Sequence, residues 1–279
     1  MPATLDSIMA ATRRRVTRAK VEADVRQLER EAAQHAPRGF EKQLRQAAAS
    51  GVAVIAELKK ASPSRGTIRA NFNAAELAAE LQSAGANALS VLTDEEFFHG
   101  SLENLRVASA QTSVPCLRKD FILDEFQLLE SRASCADAVL LIVAALQDPE
   151  LRRLYEGARR VGLDVLCEVH DEAELERATA AGCEIIGVNS RNLRTFEVDL
   201  QTPLRLAKRL PAGVLAVAES GIHSADDVRE LRAAGYQAFL IGESLMKASR
   251  PGDALRELLV LGNASGKQES RSAREILRG

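Results

Sequence analysis

The chain has almost no excess charge: 37 lysines and arginines stand against 39 aspartates and glutamates, a formal net charge of −2. No global field therefore argues for a nucleic-acid or membrane partner. No apolar run approaches the ~20 residues of a membrane span, and the N-terminus lacks the apolar core of a signal peptide. Cysteine is scarce: Cys116, Cys135, Cys167 and Cys183 form no close pair and have no histidine at ligand spacing. That pattern fits reduced, mostly buried thiols of a cytoplasmic protein and excludes a disulfide framework. His35, His99, His170 and His223 form neither a His-x-His nor a His-Glu-x-x-His pattern, so no metal site is expected and a metal hydrolase is disfavoured. No Ser–His–Asp constellation is readable either. Tryptophan is absent as well, which excludes no function class.

What is present is a repeated unit. With 46% hydrophobic and 27% charged residues, the 279-residue chain can bury a large core, as one large α/β domain or two smaller ones. Strand-like apolar runs occur at 53–58, 88–92, 114–117, 138–143, 165–169, 185–188, 214–218 and 238–241. Amphipathic helical stretches lie between them, among them 74–84, 125–133, 149–161, 172–181 and 225–234, with a last one at 251–261. Ala84-Gly85, Ala181-Gly182 and Ala234-Gly235 supply left-handed caps before incoming strands. Alternating strands and helices imply parallel pairing, and strands apolar throughout imply both faces covered. Eight such units predict an α/β fold, a closed (β/α)8 barrel. The alternative, a doubly wound sheet, wants a Gly-rich loop after its first strand, where Gly66 stands alone. The expected organisation is a single domain: an N-terminal helical extension over 1–50, the barrel over 51–261 and a polar tail over 262–279. In the extension, Leu5, Ile8, Met9, Val16, Val21 and Val25 recur at roughly helical spacing, and Pro37-Arg38-Gly39 precedes another helix over 40–49. The basic run Arg13-Arg14-Arg15 is followed at once by Glu22, Asp24 and Glu29, a solvated helix face rather than a transit peptide. In the tail, Ser272-Ala273-Arg274-Glu275 is either a capping box or part of a frayed end.

The chemistry collects at predicted strand ends. Glu57 and Lys59 lie two apart where the first strand emerges, so they leave one face together and must pair, meet solvent or serve a ligand. The third strand delivers Lys119, the fifth Glu168, the sixth Asn189 and Arg191, the seventh Glu219 and Ser220, and the eighth Gly242 and Glu243. Barrels of this kind carry their active site at these ends. Gly221 and Gly242 follow the last two strands, where phosphate commonly binds and where glycine lets backbone N–H groups approach an oxyanion. Glu243 beside Gly242 is awkward for an anion, and its side chain is expected to point away.

These motifs together resemble the indole-3-glycerol phosphate synthase family of tryptophan and aromatic amino acid biosynthesis. The resemblance rests on Ile55-Ala56-Glu57-Leu58-Lys59-Lys60-Ala61-Ser62-Pro63-Ser64, Phe98-His99-Gly100-Ser101, Leu117-Arg118-Lys119-Asp120-Phe121, Glu168-Val169-His170, Gly187-Val188-Asn189-Ser190-Arg191-Asn192-Leu193, Ala218-Glu219-Ser220-Gly221-Ile222 and Ile241-Gly242-Glu243-Ser244-Leu245-Met246. It implies a lyase acting on 1-(2-carboxyphenylamino)-1-deoxyribulose 5-phosphate, a phosphorylated anilino-sugar, by ring closure, decarboxylation and dehydration, with no cofactor. It makes Lys119 the general acid, Glu168 its acid/base partner and Lys59 the second lysine, near phosphate and carboxylate. Glu57, Asn189, Glu219 and Ser220 take the remaining catalytic positions. Ser62, Phe98, Phe121, Arg191, Gly221, Gly242 and Glu243 take substrate or phosphate positions, the two phenylalanines against the aromatic ring. It further implies N-terminal helices lying over the mouth, and a monomer. Two alternatives stand beside it: another phosphate-binding barrel such as a Schiff-base aldolase, with Lys119 or Lys59 as nucleophile, and a barrel that binds a phosphorylated ligand without catalysis.

Overall fold

The structure is a computed structural model and describes residues 4–193 and 195–263. The tail expected from 262 onward, with its Ser272–Glu275 box, lies outside the described residues from residue 264. Eight strands close into a barrel: β1 (Ala53–Leu58), β2 (Ala88–Leu92), β3 (Cys116–Lys119), β4 (Ala138–Ile142), β5 (Asp164–Val169), β6 (Ile185–Asn189), β7 (Leu215–Glu219) and β8 (Ala238–Ile241). Neighbours pair in parallel around the ring, and β8 returns to β1 with Ala53 opposite Ala238. A short antiparallel hairpin, Ala61–Ser62 with Gly66–Thr67, rises from the end of β1. Among the described residues no helix is long and apolar enough to cross a membrane.

The strand period of two explains how the barrel ends in chemistry. Ala53 and Ile55 point inward and Glu57 continues their row; so do Leu117 and Lys119, Leu166 and Glu168, and Leu215, Val217 and Glu219. The intervening Val54, Ala56, Cys116, Val165, Cys167, Ala216 and Ala218 face the helices. Apolar layers fill the lower barrel, and one more step along each strand reaches the polar layer.

The third strand departs from expectation. Predicted at 114–117, it runs Cys116–Lys119. Pro115 has no N–H to give the ladder, although its carbonyl accepts from Leu89. The charged pair Arg118-Lys119 interrupts any apolar run, yet both belong to the strand. Arg118 faces outward, buried, and is neutralised by Asp120 at 2.9 Å and Glu130 at 2.8 Å. β6 and β7 likewise run one residue further than predicted, with Asn189 registered against Glu219.

The N-terminal helices correct a second expectation, that they lie together over the mouth. Only α1 (Leu5–Glu22) does so, with Arg15 bound to Asp120 at 2.8 Å and facing Asp94 at 3.7 Å, and Lys20 on Asp124 at 3.0 Å. α2 (Val25–Gln34) passes down the flank against the helix Glu125–Ala133. α3 (Phe40–Ser50) closes the opposite end, where Phe40 and Leu44 pack fully buried against Ala53, Ala88, Ala138, Leu215 and Ala238. Apolar floor residues need a cover, and α3 provides it; the mouth needs a ligand.

Between α2 and α3 the chain is pinned by Asp137. Its carboxylate accepts from the Arg38 side chain at 2.5 and 2.9 Å, the Cys116 amide at 2.7 Å and pairs with His35 at 3.0 Å. Burial alone would raise its pKa, but His35, Arg38 and the amide hold it below the usual carboxylate range. A depressed carboxylate stabilises the fold above its unfolded value of about 4 and loses that contribution as pH falls through the folded value. Asp137→Ala should therefore cost about 3–5 kcal/mol at neutral pH, the scale for leaving a buried partner unpaired. Urea melts should show the gap between variant and unaltered chain narrowing as the pH drops below about 4.

Candidate active site

All of the candidate residues line one cavity at the C-terminal ends of the strands: Glu57, Lys59, Ser62, Phe98, Lys119, Phe121, Glu168, Asn189, Arg191, Glu219, Ser220, Gly221, Gly242 and Glu243. At its centre Lys119 Nζ lies 2.8 Å from Glu168 Oε2 and 3.1 Å from Glu219 Oε2. Lys59 Nζ lies 2.5 Å from Glu57 Oε1, so the adjacent acid and amine of β1 do pair. Glu57, Glu168 and Glu219 are all buried. Two close approaches need glycine. A methyl group on Gly187 would collide with the Glu219 carboxyl, and one on Gly242 with that of Glu57. The side-chain direction of Gly242 thus faces Glu57.

Burial and charge divide the carboxylates. Desolvation alone would lower Lys119, but Glu168, Glu219 and Glu57 outweigh it and hold the ammonium above its ordinary range. Desolvation would raise Glu168, but Lys119 and His170 face it and keep it ionised, well below the usual range. Glu219 has only Lys119 to oppose its burial and feels the Glu168 charge as well, so it is pushed up to about 8. Its second oxygen, Oε1, is buried with no hydrogen-bond partner in the structure. The centre therefore holds one ammonium, one carboxylate and one carboxyl group whose affinity for its proton is raised above the ordinary range, the combination that acid/base work requires.

The rim beside the centre is cationic. Arg191 donates to the Phe196 carbonyl at 3.1 Å and to Glu243 at 3.1 Å. Glu243 does not point away as expected. Its carboxylate turns onto Arg191, Lys247 at 2.6 Å and Arg65 at 3.4 Å, because three cations surround it; they hold it below its ordinary pKa against the effect of burial. Three cations and one anion leave this rim net positive. Asn189 is used locally: its side-chain oxygen accepts from the Arg191 amide at 3.0 Å, fixing the turn that carries the guanidinium. Ser220 and Gly221 follow β7 with φ of 64° and 74°, so the chain turns sharply at the cavity wall. A non-glycine residue held at positive φ is the kind of local strain that functional turns carry. The Phe98 and Phe121 rings, 6.5 Å apart and tilted by 40°, form an aromatic pair on the cavity wall.

Sequence reasoning missed Asp94 and Asp120, which also line the cavity, and the Arg15 and Arg118 side chains that neutralise them. A signal existed: strand alternation puts Arg118 and Lys119 on opposite faces, and a buried outward arginine must have an acid nearby. It also missed Glu174, whose carboxylate meets His170 Nδ1 at 3.0 Å. Among the described residues no three or more His, Cys, Asp or Glu side chains gather as a metal-holding group.

Comparison with known proteins bears on this arrangement. The model of the family described as indole-3-glycerol phosphate synthase matches residues 5–258. An indole-3-glycerol phosphate synthase of Koribacter versatilis is 58% identical over 259 residues, covering 93% of this chain and all of that one. One from Variovorax paradoxus is 48% identical over 264 residues, covering 92% and 99%. Among solved structures, 3-hexulose-6-phosphate synthase from Salmonella typhimurium superposes with a TM-score of 0.61 at 13% identity, covering 75% of this chain and 98% of that one; at such identity it speaks for the barrel alone. The agreement extends over nearly the whole length of both relatives, and it places this chain in the indole-3-glycerol phosphate synthase family.

Proposed function

We propose that this chain is a carboxy-lyase that converts 1-(2-carboxyphenylamino)-1-deoxyribulose 5-phosphate to indole-3-glycerol phosphate, and that it works as a monomer without a cofactor. The observation that supports this most is Lys119, a half-buried ammonium held by two carboxylates of opposite protonation preference in a cavity with an aromatic pair on its wall and a cationic rim. The flat anilino ring fits against the Phe98–Phe121 pair on the cavity wall, and the phosphate fits the net positive rim of Arg191, Arg65 and Lys247, with the turn at Ser220-Gly221 beside it. Lys59, already among acids, is placed to accept the substrate carboxylate in exchange for Glu57.

The reaction then follows. The ring carbon bearing the carboxylate attacks the C2 ketone, and Lys119 protonates the oxygen as charge grows there. Carbon dioxide leaves, and the electron pair of its bond restores the aromatic ring. The new hydroxyl is protonated and leaves as water while C1 loses a proton. Glu219, which keeps its proton to about 8, suits the first task, and ionised Glu168 the second. The direct test supplies the anilino-ribulose phosphate and follows indole fluorescence. With no tryptophan in the chain, indole emission reports product alone, and a flat trace would refute the activity.

The Schiff-base alternative needs a neutral amine part of the time. The carboxylates around Lys119 favour its ammonium form, so it donates protons well and attacks carbonyls poorly. Cyanoborohydride, which near neutral pH reduces iminium ions and spares the substrate ketone, should when added during turnover leave kcat within about twofold and add no mass to the protein. A reduced adduct on Lys119 or Lys59 in the mass spectrum would decide for the aldolase.

A further inference from the structure

The reaction proposed above takes up one proton per turnover. The substrate carboxylate leaves as neutral carbon dioxide. The ketone oxygen collects two protons and leaves as water, and C1 returns one. One proton must therefore reach the Lys119–Glu168 pair from solvent each cycle.

A row of titratable groups leads to that pair from behind. Glu168 Oε2 holds Lys119 at 2.8 Å, and its other oxygen, Oε1, lies 3.3 Å from His170 Nε2. His170 Nδ1 lies 3.0 Å from Glu174 Oε2, in the first turn of the helix Glu172–Ala180. Side-chain exposure rises along the row from 2% at Glu168 to 13% at His170 and 15% at Glu174. His170 is absent from the cavity wall, so substrate cannot use it directly. Its Nε2 is buried and makes no aligned hydrogen bond at rest; a small ring rotation would complete the bond to Glu168.

We propose that Glu174 and His170 form the route by which solvent protons return to the Glu168–Lys119 pair after each turnover. After a turnover Lys119 and Glu219 each lack a proton, and Glu168 Oε2 holds the one taken from C1. Glu168 gives it to the Lys119 amine, and Lys119 passes one on to Glu219, 3.1 Å away. His170 Nε2 then gives its proton to Glu168 Oε1, and a turn of that carboxyl group delivers it to Lys119. His170 is left neutral with its proton on Nδ1, and a turn of the ring brings the bare nitrogen to Glu174, where it recovers a proton from solvent. No net charge accumulates on His170 or Glu168. The order of affinities supports this direction. Burial would lower His170, but Glu168 and Glu174 raise it to about 10, so it stands charged at neutral pH. Lys119, once it has given up its proton, is the stronger base. The competing account is that His170 and Glu174 only finish the strand, since the His170 amide also donates to Glu174 at 2.8 Å.

The proposal rests on the lyase reading, and the test separates the two. In the full chain, His170→Asn and Glu174→Gln keep size and hydrogen bonding but interrupt the row. With enzyme in excess, the first turnover can run on protons already held by Lys119 and Glu219, and should change less than about twofold. With substrate in excess at low buffer, steady-state turnover should fall at least tenfold in His170→Asn, and added imidazole should restore it. Unchanged steady-state turnover in both variants would overturn the relay. So would equal losses in single and multiple turnover with no response to imidazole, the signature of a structural role. Absence of indole product from the unaltered chain would instead overturn the lyase reading itself.

Discussion

Lys119→Ala is expected to lower kcat by about two decades or more, the usual scale for a lost general acid, and to leave the barrel folded. The side chain tops an inward row whose apolar member, Leu117, lies one layer deeper and is untouched. A second consequence can be read without any substrate. Lys119 touches both Glu168 and Glu219; without it, two buried carboxyl groups face one another with His170 as their remaining cation. Glu219 would then hold its proton to still higher pH than in the unaltered protein, while His170 continues to oppose the protonation of Glu168. Stability of the variant should fall as pH rises above the unfolded glutamate value near 4.3, and the fall should continue to higher pH than in the unaltered protein. Near-wild-type turnover in Lys119→Ala would end the assignment, and urea midpoints with identical pH dependence would show that the lysine does not govern the carboxylates.

Glu219→Gln should separate activity from stability. The glutamine fills the same space under Gly187 but cannot exchange a proton, so kcat should fall by roughly 10²–10⁴. The unaltered fold holds a proton on Glu219 up to about 8, whereas the unfolded chain releases it above about 4.3. Folding therefore binds a proton across that interval, and stability is lost as pH rises from the lower value to the upper. Glutamine removes this penalty. The variant should be the more stable protein at pH 8, by on the order of a kcal/mol or more, and should lose that advantage near pH 4. In parallel, kcat/KM of the unaltered enzyme should decline as pH rises through about 8, where Glu219 gives up its proton. A stable, inactive Gln variant supports the acid role; a less stable one refutes the account of burial.

Much of the barrel was legible because its signals are local. Apolar runs, amphipathic helices and the Ala-Gly caps each need only a few neighbouring residues. The third strand was misplaced by two residues because its outer residue is Arg118, and its inward neighbour in sequence is Lys119. Only tertiary partners, Asp120 and Glu130, make such a strand affordable in a core. The candidate site was legible as a set because strand ends in a barrel converge, so placing Glu57, Lys119, Glu168 and Glu219 at strand ends places them together. Their division of labour was not legible. That Glu168 is ionised and Glu219 holds a proton depends on His170 standing behind one and not the other. The turn of Glu243 onto Arg191 was missed for the same reason: its cations come from the first, sixth and eighth units of the chain.

The N-terminal extension spans the barrel end to end, with Arg38 on Asp137 at the floor and Arg15 on Asp120 at the mouth. Those partners lie 99 and 105 residues downstream. During synthesis the N-terminal helices have few of these partners to dock on until the third strand and the helix Glu125–Ala133 after it have emerged. Closing loops of that length is entropically slow compared with forming the local βα units. The segment made first should thus be among the last to acquire its native contacts. Amides of α1 and α2 should gain exchange protection after those of the barrel strands in a refolding experiment, and the floor and the mouth would be sealed by one late event.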